Sequence, residues 1–228
     1  MAHKRSTAKS SKAAPVRRRQ GRPTEKEGPV GADLIIAAAR TLLKDHHPDK
    51  LSQASIALAA GVDPKLIRYY FKSLDRLLVE LAHIFILDLN ERMSRASNIA
   101  GTTEDKIAER IRTLLEFYVE TPNFWPLIMD KIYLSSDSRA RSVRSDFNKA
   151  SFQRLSAIIL NGVEHNEIRG GIDPRLLYVA LIGMCEIFVT GKPIMDVLFS
   201  EYEQDGLTER YGELLVDLVM SGLRPRIQ

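Results

Sequence analysis

The chain reads as all-α, with a small N-terminal three-helix unit containing a helix-turn-helix and a larger helical domain after it. Three observations carry this. Apolar residues recur three and four apart from residue 32 onward, and no alternating strand pattern appears. Start and stop residues fall where those stripes begin and end. With 228 residues, 44% of them hydrophobic, the chain can bury a substantial core.

Residues 1–29 are rich in Lys, Arg, Ser, Ala and Pro and lack aromatic side chains. They bury too little apolar area to offset the entropy of ordering and read as a disordered basic arm. Residues 1–24 hold eight Lys and Arg and no acid, whereas the whole chain carries only +4, so the rest is mildly acidic. The run Arg17-Arg18-Arg19 suits either a solvated tail or a segment that meets an anionic partner. From Ala32 the stripe Leu34, Ile35, Ala38, Ala39, Leu42 and Leu43 makes a first helix, which ends before Pro48.

Ser52 is a good N-cap for a second helix over 52–60, closed by Gly61, which tolerates the left-handed conformation of a helix C-terminus. Asp63 and Pro64 open a third, carrying Leu66 to Tyr70. Two short helices about a Gly-containing turn form a helix-turn-helix. Ser73 caps a long fourth helix over 74–95 with Leu77, Leu78, Leu81, Phe85 and Leu89 along one side. Further helices are predicted over 103–120, 122–134, 138–166, 174–190 and 208–222, opened by Thr103, Asp173-Pro174 and Thr208, with breaks at Gly170, Gly171 and Gly191. The arm spans 1–29, the helix-turn-helix domain 30–75 and the larger domain 76–228.

Composition excludes several classes. The apolar run "LLVELAHIFILDL" is interrupted by Glu80, His83 and Asp88, so no membrane span is expected. The basic N-terminus lacks a following apolar segment and cleavage site, which points to a cytoplasmic protein. One cysteine, Cys185, excludes an internal disulfide and reads as a small core residue. The five histidines are scattered, and nothing resembles a phosphate loop, a metal-ligand cluster or a nucleophile with its base. No enzymatic activity, cofactor or metal is therefore expected.

The stretch "LSQASIALAAGVDPKLIRYYFKSLDRLL", Leu51 to Leu78, closely resembles the DNA-binding signature of the TetR family of bacterial transcriptional regulators. The matching features are Ile56-Ala57, the turn Ala60-Gly61-Val62, the cap Asp63, the pair Tyr70-Phe71, and Ser73, Asp75 and Leu77. Gly21-Arg22-Pro23 resembles the arm that often starts such chains. The resemblance implies a third helix in the major groove of double-stranded DNA and a second crossing the backbone. Pro64, Lys65 and Leu66 would then approach base edges, Lys65 as the guanine contact. Ser52, Gln53, Arg68, Tyr69, Tyr70 and Lys72 would meet phosphates, and Arg22 would enter the adjacent minor groove. Arg68 stands where the family usually has tyrosine, and Leu74 where it usually has lysine. The three aromatics also fit a purely structural role, the stronger reading for Phe71.

Beyond the fourth helix the resemblance implies dimerisation through the last two helices and a small-molecule inducer held among the others. The dimer candidates are Leu177, Leu181, Tyr211, Leu215, Leu218 and Val219. The pocket candidates are Phe117, Trp125, Met129, Tyr133, Phe152, Met184 and Phe188, each of which also fits ordinary core. The function expected is a ligand-released repressor acting as a homodimer on a palindromic operator. An architectural, nucleoid-type DNA binder without ligand sensing is the alternative, and a helical binding or enzymatic domain with an incidental helix-turn-helix is a third.

Overall fold

The computed structural model describes residues 30–136, 138–200 and 203–225, excepting the side chains of Val30, Phe147 and Asn148; the basic arm and Arg22 lie outside them. Ten α-helices and no strand occur among the described residues. They are α1 (Val30–Asp45), α2 (Gln53–Ala60), α3 (Lys65–Phe71), α4 (Leu74–Ser97), α5 (Thr103–Glu120), α6 (Phe124–Ile128), α7 (Ser138–Glu164), α8 (Pro174–Thr190), α9 (Lys192–Leu198) and α10 (Leu207–Leu223).

The local chemistry explains most boundaries. Ser52 and Ser55 exchange side-chain and backbone hydrogen bonds in a reciprocal box at the start of α2, and Gly61 ends it at φ 66°. Asp63 Oδ1 accepts from the Lys65 amide at 2.8 Å, and Ser73 Oγ from the Arg76 amide at 3.1 Å. Asp173 caps α8 ahead of Pro174. Two expected caps are corrected. Thr102, not Thr103, opens α5, because Thr102 and Asp105 form a reciprocal box while Thr103 is buried in the first turn. Thr208 does not cap α10, which follows a left-handed Gly206. The sequence also gave no hint of α9, where Pro193 occupies the first turn rather than ending a helix.

α1, α2 and α3 form the N-terminal unit, whose core of Ile35, Ala39, Ile56, Ala57 and Ile67 is almost fully buried. α4 belongs to both halves: it packs on α1 and α3 and also on α5, α6, α7 and the segment after α6. α5 is central to the larger domain, touching α4, α7, α8 and α10. Directly after α6 the chain widens into a π-helical turn, Met129–Tyr133. Such turns are rare and often lie at functional sites.

Among the described residues no single helix is long and apolar enough to cross a membrane; only α8 and α9 together, bent by 68°, reach that length. No group of three or more His, Cys, Asp or Glu among them could hold a metal ion. Cys185 is fully buried, and burial pushes its thiol up to about 12.

Candidate nucleic-acid interface and ligand cavity

The helix-turn-helix presents one polar, cation-bearing face. Ser52, Pro64, Lys65, Arg68, Tyr69 and Lys72 are exposed there, while Gln53 and Leu66 are half-buried. Tyr69 leaves 68% of its surface open, unusual for so large an aromatic side chain. Tyr70 is half-buried beneath it, with the two rings edge-to-face at 5.0 Å. Tyr70 also leans on α1, where a Cβ at Gly31 would meet its ring and hydroxyl at 3.0 Å, so glycine lets the tyrosine lie there without being displaced. Phe71 is half-buried against the core. Lys72 closes α3 in the left-handed region at φ 68°, a conformation an L side chain rarely adopts, with its ammonium 3.5 Å from the Tyr69 carbonyl. The exposed side chains of Lys65, Arg68 and Tyr69 could thus donate hydrogen bonds outward.

The larger domain encloses a cavity of about 10 Å³, just enough for one water. Its wall draws Leu89 and Met93 from α4, Arg110, Leu114 and Tyr118 from α5, Trp125 from α6, Ser151 and Leu155 from α7, and Tyr178, Leu181 and Ile182 from α8. Arg110 Nε is a buried donor without a partner, and the buried Trp125 Nε1 makes no hydrogen bond of good geometry but acts on the Tyr118 hydroxyl beside it. Burial draws the Arg110 guanidinium down to about 10, and the like charge of Arg154 works in the same direction. Arg110 stays charged at neutral pH. Burial raises the Tyr178 hydroxyl, against the pull of the Ser151 hydroxyl and the Arg110 charge beside it.

Of the seven residues expected to line a pocket, only Trp125 reaches this cavity. Phe117 is fully buried in an aromatic cluster, edge-to-face with Phe124 at 5.0 Å and under the Arg92 guanidinium. Met129 is exposed and Tyr133 half-buried, both in the π turn. Phe152 meets Tyr178 edge-on, Phe188 stacks on Tyr211, and Met184 lies in a shallow groove between α8 and α10. An aromatic residue at helical spacing fills core more often than it lines a void, and here the apolar wall is mainly aliphatic. Arg110 was missed, although its place three after Ile107 and four before Leu114 put a charge inside an apolar stripe.

The expected dimer residues divide likewise. Leu181, Leu215 and Val219 turn inward and are buried within the subunit, Leu177 and Tyr211 are half-buried, and Leu218 is exposed. The outward apolar side is made by Leu176 at 72%, Val179 at 67%, Leu214 at 51% and Leu218 at 56% exposure. A stripe marks the buried side of a helix, so it selected residues facing the subunit's own core.

Polar contacts tie the two halves together. Lys131 Nζ, in the π turn, lies 2.6 Å from Asp75 in the first turn of α4 and 2.9 Å from Asp130. Asn123 donates to the Leu43 carbonyl near the end of α1 at 2.9 Å. Arg40 of α1 pairs with Asp88 of α4 at 3.1 Å, and Arg92 joins Asp88 to Glu120.

Residues 100–226 match the family model described as the tetracyclin repressor-like C-terminal domain. The chain is 26% identical over 190 residues to the fatty acid metabolism regulator protein of Bacillus subtilis, covering 82% of this chain and 94% of that protein. It is also 26% identical over 127 residues to the HTH-type transcriptional regulator BetI of Rhizobium meliloti, covering 52% of this chain and 63% of that one. The structure of FadR from Bacillus subtilis in complex with stearoyl-CoA is 25% identical and superposes with a TM-score of 0.61 over 84% of this chain and 98% of that one. A tetR-family regulatory protein from Rhodococcus RHA1 reaches 0.70 at 13% identity, over 87% and 99% of the two chains, which speaks to the fold alone. With an exposed helix-turn-helix ahead of a matching C-terminal domain, the chain belongs to the TetR family of DNA-binding transcriptional regulators.

Proposed function

We propose that this regulator represses by binding a palindromic operator as a homodimer and leaves it when an acyl-bearing small molecule enters the cavity between α4 and α8. The observation that carries the release step is the cavity itself. At about 10 Å³ it admits no organic ligand until its walls part, and α4 is one of those walls through Leu89 and Met93. α4 is also the helix on which α3 rests. Expansion therefore acts on the element that carries the reading head, and the Lys131–Asp75 pair gives α6 and its π turn a second hold on the same helix. The ligand must bind the DNA-incompetent arrangement better by the coupling free energy, typically about 1–3 kcal/mol. The acyl class is supported by the stearoyl-CoA held by the Bacillus subtilis relative.

In the operator complex Lys65 meets a guanine edge, flanked by Pro64 and Leu66. Ser52, Gln53, Arg68, Tyr69, Tyr70 and Lys72 hold phosphates and set register, and Arg22 enters the neighbouring minor groove. Pairing through Leu176, Val179, Leu214 and Leu218 would remove from water an aliphatic surface the subunit alone leaves bare.

Selection from random duplexes, followed by titration of the enriched complex with saturated acyl-CoA esters and fatty acids, tests the whole reading. A single palindrome released by acyl ligands is expected. Broad A·T enrichment, indifferent to every acyl compound, would establish the architectural alternative instead.

A further inference from the structure

The cavity wall contains a charge without a counter-charge. Arg110 is 2% exposed, wedged on α5 between Ile107, Ile111 and Leu114. Its Nη1 donates to Ser97 Oγ at 2.9 Å, and its Nε has no partner. The titratable groups that act on it are Tyr178 and a second cation, Arg154, with no acid among them. Arg154 in turn donates to the neutral Asn90 at 3.2 Å. Trp125 adds a buried indole Nε1 to the same wall, without a hydrogen bond of good geometry but acting on the neighbouring Tyr118 hydroxyl.

An uncompensated buried guanidinium is among the more destabilising features a core can hold, and a well-packed apolar residue in its place is commonly neutral or better. Its presence is explained if an anion arrives to share the site. We propose that Arg110 anchors the carboxylate of a straight-chain aliphatic monocarboxylic acid of about ten carbons or more, with Trp125 and Tyr178 as supporting donors and the chain lying along Leu89, Met93 and Leu155. The inference rests on the cavity being the ligand site, as argued above, and narrows the acyl class to the free acid.

Charge matching favours the free acid. One buried guanidinium balances one negative charge, and a carboxylate can take two parallel N–H donors from the edge that carries Nε. A thioester carbonyl is neutral and leaves the charge uncompensated. The several phosphate charges of a coenzyme A ester exceed what one arginine offsets in an enclosed, largely aliphatic cavity.

The test compares decanoate, decanol and decanoyl-CoA on the full-length protein and on Arg110→Met and Arg110→Lys, reading affinity by calorimetry and ligand-free unfolding temperature by scanning. Wild type is expected to bind decanoate at least about 30-fold more tightly than decanol, the scale of losing a buried hydrogen-bonded charge pair. Arg110→Met should bind the two alike and unfold, without ligand, no earlier than wild type. Arg110→Lys should keep part of the preference. Undiminished decanoate preference in the Met variant, a Met variant that fails to fold, or wild-type preference for decanol or decanoyl-CoA would overturn the carboxylate anchor and leave the cavity reading standing. Binding of none of the three to wild type would bring down both.

Discussion

Lys65 shows how much of the reading turns on single side chains. It follows Pro64 at the start of α3, its backbone amide is held by Asp63, and its exposed side chain is open to an outside partner. Lys65→Ala should relax base preference at one position per half-site by roughly 1–3 kcal/mol, read by quantitative binding to single-base operator variants. Uniform weakening across all sequences would make it a phosphate contact instead. Much of this face was legible from the sequence, because the turn around Gly61 and the polar residues around Asp63 have few other local explanations. Tyr70 was legible only in part. Its place in the motif suggested a phosphate contact, while its packing on Gly31 depends on the approach of α1, which no local pattern encodes. Arg110 is the converse case: Trp125 was among the pocket candidates, but a cavity shared by five helices, with a buried charge in its wall, appears only once their faces are brought together.

Helices are set by their ends, and most of those ends could be read. Ser52, Ser73 and Asp173 each accept a backbone hydrogen bond where a short polar side chain precedes an apolar stripe. The π turn could not be read, because an extra residue in one turn leaves the apolar spacing on either side almost unchanged. At the α8 cap the pair with Arg175, chiefly its hydrogen bond, holds the half-buried Asp173 down to about 2, against an ordinary 3.8. A carboxyl depressed in the fold stabilises above its unfolded value and ceases to do so as pH falls through the folded one. The contribution should therefore fade between about pH 4 and 2, and Asp173→Asn, which still caps, should lose less unfolding temperature than wild type over that interval. Equal acid sensitivity in the two proteins would refute the linkage. The Lys131–Asp75 pair operates between elements. Lys131→Ala should leave ligand-free operator affinity within about threefold, since a pair with one partner open to water contributes little to stability, but raise the ligand concentration needed for release. Calorimetric ligand titrations with and without operator would measure that coupling, and an unchanged value would rule the pair out as a link.

At the scale of the whole molecule, α1, α2 and α3 are joined through one long helix, and through a continuous hydrophobic core, to helices organised around α5. The all-helical plan was legible because periodicity and caps agree along the chain. The outward side of α8 and α10 was not, because an apolar stripe shows that a helix is covered without showing by what. Leu218→Asp, on the proposed pairing face, should shift the sedimentation profile toward monomer and weaken operator binding by more than tenfold, with little loss of helix content. A dimer that survives both Leu218→Asp and Val179→Asp would move the interface elsewhere. The aliphatic rows on α8 and α10 also bear on synthesis. On the proposed pairing, each new chain would leave the ribosome with these greasy flanks wet and stay open to proteolysis until it met a sister, so the steady-state level should rise more steeply than gene copy number, with a threshold below which operators stay vacant.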